Sequence, residues 1–295
     1  MVNKKVVCFG EVLWDALPKG IYLGGSPLNV ALNLDNLGIK STIASAVGND
    51  RLGGLALKSI KQRGLSIDLI QINGYPTGLA EVEIDSKGVP SFKIHENTAW
   101  EFITVSDKLK EVVSESDFLV LGTLVFRNSS AGTIRELLQN YKGKCVIDVN
   151  FRKSFYNEEI VNEVLGYADI LKLNIEELEV ISMWKNNELE EEDSLKWLSE
   201  EYNIETILLT KGENGAYIYK NGELKKKNGH TVEVGDTVGA GDAFLAGAIY
   251  SIIIGKNTYD TICYANAVGA FVTSRNGATP KLNMAKIDLY LKYGK

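Results

Sequence analysis

The sequence predicts an α/β fold with a mostly parallel sheet that helices cover on both faces. Short apolar runs typical of buried strands occur at residues 6–9, 42–47, 118–121, 145–149, 170–173 and 207–209. Stretches with helical spacing lie between them, and strands that alternate with helices form parallel βαβ units. Polar–apolar alternation at residues 77–84 and 91–95, around a turn at 85–88, breaks this rhythm and predicts an inserted β-hairpin.

Apolar residues with helical spacing predict helices at residues 27–37, 52–63, 131–141, 158–167, 175–184 and 194–202. The first two end at Gly38 and Gly64, as helices often do. Residues 186–193 are typical of a solvated connection or a helix start. Residues 243–255 are apolar but too few to span a bilayer, so they predict a buried helix. The inserted hairpin is either a surface element without a role or a lid that excludes water from a site.

The composition indicates a globular protein and points away from nucleic acid. The 295 residues include 32 basic and 38 acidic side chains, a net charge of −6, whereas nucleic-acid binders usually carry a basic excess. The N-terminal residues lack the apolar core of a signal peptide. The three cysteines are far apart and predict buried free thiols. We therefore expect a cytoplasmic protein that binds neither nucleic acid nor a membrane.

The most informative segment is VGDTVGAGDAF, residues 234–244. The small residues Gly239, Ala240 and Gly241 leave backbone N–H groups unobstructed at the start of a predicted helix, which makes an anion cradle. Asp242 follows in the first turn, where a carboxylate can accept a proton from an attacking hydroxyl group. The alternative is a glycine-rich turn in which Asp242 is only a favourable helix charge. There is no GxxxxGK[ST] loop, and the third glycine of the dinucleotide-binding motif is missing.

DTVGAGDAF resembles the C-terminal signature of the ribokinase-like (PfkB) carbohydrate kinases. GGSPLNVA at residues 24–31, with LG at 37–38 and VGND at 47–50, resembles their N-terminal signature. The resemblance covers essentially the whole chain. It implies one kinase domain over residues 1–295, with a three-layer αβα ribokinase-like fold, a mostly parallel central sheet and a small β-sheet lid. The lid would be discontinuous, formed by roughly residues 12–24 and 76–103.

The resemblance also implies site residues for a sugar, ATP and Mg²⁺. Asp242 would be the catalytic base beside the cradle, and Asp15, Gly25 and Asn29 would hold sugar hydroxyls. Carboxylate and amide groups suit that task, and glycine permits close approach. Without the motif, Asn29 would be a helix-surface residue and Asp15 a turn residue.

On the nucleotide side, Asn174 and Glu177 resemble the family's N-x-x-E motif, in which Glu177 would hold Mg²⁺ through water. They also fit a helix capping box, and both interpretations can hold together. Further nucleotide-binding residues implied by the resemblance are Thr210, Gly212, Gly215, Asn266 and Gly277.

A monovalent cation such as K⁺ would be held by Asp236 and the Val238 carbonyl. Lys281 stands where a small residue is expected, and its ammonium group could replace that cation. The exposed edges of the lid could also pair two chains into a homodimer.

Three segments favour fructose as the sugar. DVNFR at residues 148–152, which supplies Arg152, resembles the D-x-N-x-R segment of fructokinases; TAWE at 98–101 and EVLWD at 11–15 resemble two others. Trp100 could equally be a core aromatic. The alternatives are a 2-keto-3-deoxygluconate kinase, a ribokinase or a nucleoside kinase of this fold, and, in a different class, a catalytically silent sugar-binding relative. We further expect Asp242 to be an exposed first-turn charge that the helix dipole and Mg²⁺ keep ionised.

Overall fold

The computed structural model describes residues 4–17, 20–84, 90–152, 155–185 and 190–293. The predicted hairpin turn at 85–88 and residues 186–189 of the predicted connection lie outside the described residues. The strands are β1 Lys5–Phe9, β2 Leu13–Leu17, β3 Gly20–Gly24, β4 Lys40–Gly48, β5 Ile70–Asn73, β6 Gly78–Ile84, β7 Pro90–Ile94, β8 Phe118–Gly122, β9 Lys144–Asp148, β10 Ile170–Asn174, β11 Thr206–Thr210, β12 Ala216–Lys220 and β13 Glu223–Lys227.

Each helix that the sequence predicts is present, with bounds close to the predicted ones. They are α1 Ser26–Asn36, α2 Arg51–Gln62, α3 Asp107–Ser114, α4 Asn128–Leu138, α5 Glu158–Leu165, α6 Ile175–Trp184, α7 Glu191–Tyr202, α8 Ala240–Ile253, α9 Thr258–Thr273 and α10 Met284–Tyr293. Within the described ranges, no helix is long and apolar enough to cross a membrane.

The large sheet has nine strands in the order β13-β12-β11-β10-β9-β8-β1-β4-β5. Strands β11 through β5 in this order run parallel, and β12 and β13 extend the sheet as an antiparallel edge. The carboxyl ends of the parallel strands therefore share one edge, where open α/β sheets bind their ligands. The predicted α/β fold is confirmed.

Helices cover both faces of this sheet because alternate strand residues point to opposite sides. In β1, Val6 and Cys8 pack into the core beneath α1, α2, α8 and α9, whereas Val7 and Phe9 pack into the core beneath α3 to α7. Both faces are thus buried, which explains why the strands are continuous apolar runs in the sequence. The predicted thiols are free: Cys8 and Cys145 are buried and Cys263 is half-buried.

A second, four-stranded sheet has the order β3-β2-β6-β7, with β2 and β6 parallel and the outer pairs antiparallel. Its inner face packs against the large domain through a cluster that includes Leu13, Ala80 and the fully buried Trp100. Trp100 is therefore a core aromatic. The edge strand β3 exposes Ile21 and Tyr22. The boundaries of the lid and the homodimer through it stay predictions.

Candidate active site

The anion cradle lies where α8 begins. Gly239 precedes the helix with φ 77°, a left-handed conformation that suits glycine, and an added Cβ would lie 2.6 Å from Ala278. Ala240 and Gly241 line an open cleft of about 800 Å³. The first N–H groups of α8, with the positive end of its dipole, therefore face a space large enough for a ligand.

Asp242 joins the two signature segments of the sequence. Its Oδ1 accepts a hydrogen bond of 2.7 Å from the Ser26 hydroxyl group, and its Oδ2 accepts one of 2.8 Å from Asn29 Nδ2. Ser26 and Asn29 lie in the first turns of α1, 216 and 213 residues away in the chain. The starts of α1 and α8 are thus tied together by one carboxylate.

The expectation that Asp242 is exposed is wrong, whereas the effects of the helix dipole and of Mg²⁺ on its charge stay predictions. The side chain is half-buried at the foot of the site. Burial and the neighbouring Asp148 raise its pKa, whereas the bonds from Ser26 and Asn29 and the charge of Lys172 lower it, and the net direction is upward. The loss of water around the carboxylate is the largest of these influences.

Further carboxylates face the same space. Glu11 is buried, its Oε1 accepts the Ser26 N–H at 3.0 Å, and burial raises its pKa to about 7. Asp15, half-buried on β2, has its pKa raised to about 6, again by burial, with Arg152 acting in the opposite direction on both groups. We call Glu11, Asp15, Asp148 and Asp242 the acidic cluster.

Gly25 is placed between the acidic cluster and α1. It has φ 111°, and a Cβ there would lie 2.2 Å from the Glu11 carbonyl oxygen, so only glycine fits. Arg152 is exposed at the rim of the cluster. The structure therefore brings together Asp15, Gly25, Asn29 and Asp242, which the sequence predicted for one site.

Sequence reasoning missed a buried ion pair beside Asp242. Lys172 on β10 donates a hydrogen bond of 2.8 Å to Asp148 Oδ1 on β9, and both side chains are almost completely buried. The available signal was a lysine inside the apolar run ILKLN, because a lysine in a buried strand needs a partner. The Ser26 hydroxyl group was missed as well, since nothing in the sequence indicates its contact with Asp242.

Asn174 and Glu177 form the capping box that the sequence offered as one interpretation. Each accepts the backbone N–H of the other at 2.8 Å, and Glu177 Oε1 also accepts the Phe151 N–H at 2.9 Å. Among the described residues no group of three or more His, Cys, Asp or Glu side chains could hold a metal ion. Each Glu177 carboxylate oxygen accepts one N–H group, and the remaining lone pairs are compatible with the predicted contact to Mg²⁺ through water.

The predicted nucleotide-binding residues divide between the open cleft and a neighbouring loop. Residues that line the cleft are Thr210, Gly212, Gly215 and Asn266. Gly277 instead donates its N–H to Asp236 Oδ2 at 3.3 Å, and the Val238 N–H donates to Oδ1 at 3.0 Å. Asp236 thus connects two loops through backbone N–H groups. Lys281, which follows Gly277 closely in the sequence, is exposed.

The chain is similar to known proteins over most of its length. Residues 4–284 match the pfkB family carbohydrate kinase profile. The fructokinase of Salmonella typhimurium is 26% identical over 95% of this chain and 97% of its own, and the ATP-dependent 6-phosphofructokinase of Thermoanaerobacterium thermosaccharolyticum is 29% identical over 87% and 80%.

Among solved structures, a double mutant of Vibrio cholerae fructokinase with bound fructose, ADP and potassium ion superposes with a TM-score of 0.85. It is 21% identical and the match covers 99% of both chains, which shows the shared fold. With the profile spanning nearly the whole chain, this protein belongs to the pfkB family of carbohydrate kinases, phosphotransferases that act on an alcohol group.

Proposed function

We propose that this chain transfers the γ-phosphoryl group of ATP to the 6-hydroxyl group of fructose. The observation that carries the proposal is the pair of hydrogen bonds from Ser26 and Asn29 to Asp242. Through them the Asn29 amide, which suits sugar hydroxyls, lies directly beside the Asp242 carboxylate, which can accept a proton. The fructokinases among the relatives, and the segments at 11–15, 98–101 and 148–152, support fructose as the sugar.

The chemistry assigned to Asp242 is proton removal. A sugar hydroxyl group is too weak an acid to ionise alone, so its proton leaves as the phosphoryl group arrives. The O–H bond of the sugar breaks and an O–H bond to Asp242 forms, while the sugar oxygen bonds to phosphorus and ADP departs. The raised pKa of Asp242 suits this role, because a stronger base accepts the proton more readily.

The remaining predicted residues divide between the two substrates. Asp15, Gly25, Asn29 and Arg152 would bind the sugar, and Gly239, Ala240 and Gly241 would receive the transferred phosphoryl group. ATP would lie in the open cleft along Thr210, Gly212, Gly215 and Asn266, with Gly277 in the loop beside Asp236.

Cations would complete this half of the site. Mg²⁺, when bound, neutralises charge on the phosphate groups, and Glu177 would hold it through water. A monovalent cation would sit at Asp236 and Val238 unless Lys281 replaces it.

The charge of the acidic cluster favours a neutral sugar. The described cations that face its four carboxylates are Lys172, which is paired with Asp148, and the exposed Arg152. A carboxylate or phosphate group on the acceptor would meet like charge there. This argues for fructose over 2-keto-3-deoxygluconate. It also argues for fructose over fructose 6-phosphate, the acceptor that the name of the 6-phosphofructokinase relative implies.

A coupled ADP-release assay over fructose, tagatose, ribose, 2-keto-3-deoxygluconate, adenosine and fructose 6-phosphate tests the proposal. We expect fructose to give the highest kcat/KM and the product to be phosphorylated at the 6-position. A tenfold higher kcat/KM with another acceptor would overturn fructose but leave the kinase activity intact. Calorimetric binding of fructose without turnover of any acceptor would instead indicate a catalytically silent sugar-binding protein.

A further inference from the structure

The Lys172–Asp148 ion pair lies at the functional edge of the sheet. Asp148 is the last residue of β9, and Lys172 is its register partner in the middle of the adjacent parallel strand β10. Their side chains are 8% and 4% exposed, and the 2.8 Å contact joins Nζ to Oδ1. A buried charge of this kind is tolerated only with a partner, so removal of either group alone leaves the other uncompensated.

The position of the ammonium group is unusual for a purely structural pair. Lys172 Nζ lies 3.1 Å from where a Cβ of Gly241 would be, so it touches the first turn of α8. A cation at the positive end of a helix dipole is electrostatically unfavourable. The surrounding carboxylates, and not the helix, therefore stabilise the charged form of Lys172 here.

Asp242 shares its surroundings with several charged groups. From α1 it receives the neutral donors Ser26 and Asn29. The charged groups that act on it or on its direct neighbours come from other segments of the chain: Glu11, Asp15, Asp148, Arg152, Lys172 and Glu177. Asp148 is the strongest of these on Asp242, and its Oδ2 is buried without a hydrogen-bond partner among the described residues. The negative charge of Asp148 thus disfavours the ionised form of Asp242.

We propose that Lys172 is a positioning residue: by neutralising Asp148, its ammonium group keeps Asp242 in the charged form that accepts the proton of the sugar. The inference rests on the proposed role of Asp242 as the base. In this role Lys172 acts through Asp148 and Asp242.

The opposing influences on these groups support this role. Burial acts to lower the pKa of Lys172, yet Asp148 and Glu177 hold it above its ordinary value, so the ammonium group stays charged. On Asp242, Asp148 raises the pKa and Lys172 lowers it. Removal of Lys172 alone should therefore raise the pKa of Asp242 further, and removal of Asp148 alone should lower it.

The experiment measures kcat/KM for fructose against pH, at saturating ATP and Mg²⁺, for the parent, Lys172→Met, Asp148→Asn and the double variant. We expect the acidic limb of Lys172→Met to move to higher pH by about one unit or more. Asp148→Asn should move the limb to lower pH, and the double variant should return it close to the parent position. Thermal unfolding of all four proteins reports separately on the fold.

A merely structural ion pair would lower the melting temperature of the single variants without moving the acidic limb, and that result would overturn the proposal. If Lys172→Met fails to fold, Asp148→Asn and the double variant still test the proposal. An acidic limb that does not move in Asp148→Asn would also contradict it. A parent protein that is inactive with every acceptor would overturn the proposed function itself. An active parent with unmoved limbs overturns only the role of Lys172.

Discussion

The acidic cluster and the open cleft are built from different kinds of chemical group. The cluster consists of carboxylates that are buried or half-buried and accept hydrogen bonds from neighbouring groups, as Asp242 does from Asn29. The open cleft is lined largely by small residues and backbone, with Asn266 as one of the few side chains that offer an amide. One half of the site therefore depends on the ionisation of side chains and the other on the path of the main chain.

This difference has an energetic consequence. In the cluster, burial raises the pKa of Glu11, Asp15 and Asp242, so ionisation of any of these carboxylates lowers the stability of the folded protein. Backbone N–H groups at the start of α8 carry no such cost, since they cannot titrate. We expect changes in the cluster to alter catalysis and pH dependence, and changes in the cleft away from the start of α8 to alter nucleotide affinity.

The largest difference between the two regions should come from Asp242→Asn in the cluster, which keeps the size of the side chain and removes the base. General-base catalysis is typically worth about 10²–10⁴ in rate, so kcat should fall by that factor while the affinities for fructose and ATP change far less. The measurement is steady-state kcat together with calorimetric binding of both substrates.

The fold should survive this substitution. The new amide group would face Asn29 Nδ2, but Asn29 can turn its own amide, whose Oδ1 has no partner among the described residues. A variant that retains more than about a tenth of the parent kcat would contradict the assignment of the base, given the usual size of this contribution.

The sequence predicts the helices and strands of these two regions better than it predicts the contacts between them. Helix α6 lies where it was expected, because Asn174 and the residue three positions on cap it locally. The hairpin of β12 and β13 was not predicted, since β13 reads ELKKK and an edge strand does not need an apolar sequence. Helix α9 was missed because it is apolar on nearly all sides, packed between α8 and α10, and so lacks an amphipathic pattern.

Within the site, the motifs indicated which residues belong together but not their electrostatic state. Asp242 and Ser26 are 216 residues apart, so their hydrogen bond is a property of the tertiary fold. Lys172 could be recognised as unusual from its strand, yet its partner Asp148 could not be chosen among many acidic residues. The pKa of Asp242 depends on how much water the fold leaves around it, which no local pattern determines.

A second prediction separates the two regions by their response to pH. The pKa of Glu11 is about 7 in the folded protein against 4.5 ordinarily, so its protonated form favours folding. The resulting stability is complete below about pH 4.5 and is lost as the pH rises through about 7. Glu11→Gln stays neutral throughout, so its stability relative to the parent should rise between pH 5 and 8, by on the order of 3 kcal/mol.

Urea unfolding at several pH values measures this difference. The other carboxylates are present in both proteins, so most of their contribution is common to the two curves. Glu213→Gln is the matched control, because it removes the same charge from the exposed rim of the open cleft, where a single charge contributes little. A parent and Glu11→Gln variant with parallel stability curves would contradict the buried, protonated state of Glu11.

The smallest expected effects come from the same substitution made once in each region. Asn29→Ala removes the donor to Asp242 and a group proposed to bind sugar hydroxyls, so fructose affinity should fall by about 1–3 kcal/mol with little change in ATP affinity. Asn266→Ala removes only a 3.3 Å bond to the Lys227 carbonyl and one side chain of a cleft lined mainly by backbone. It should weaken ATP binding by less than about 1 kcal/mol and leave fructose affinity unchanged. Calorimetry with each ligand on both variants gives four numbers, and the pattern matters more than any one of them. If Asn266→Ala weakened fructose binding as much as Asn29→Ala does, the two regions would not be separate binding sites, and the division of the substrates between them would be wrong.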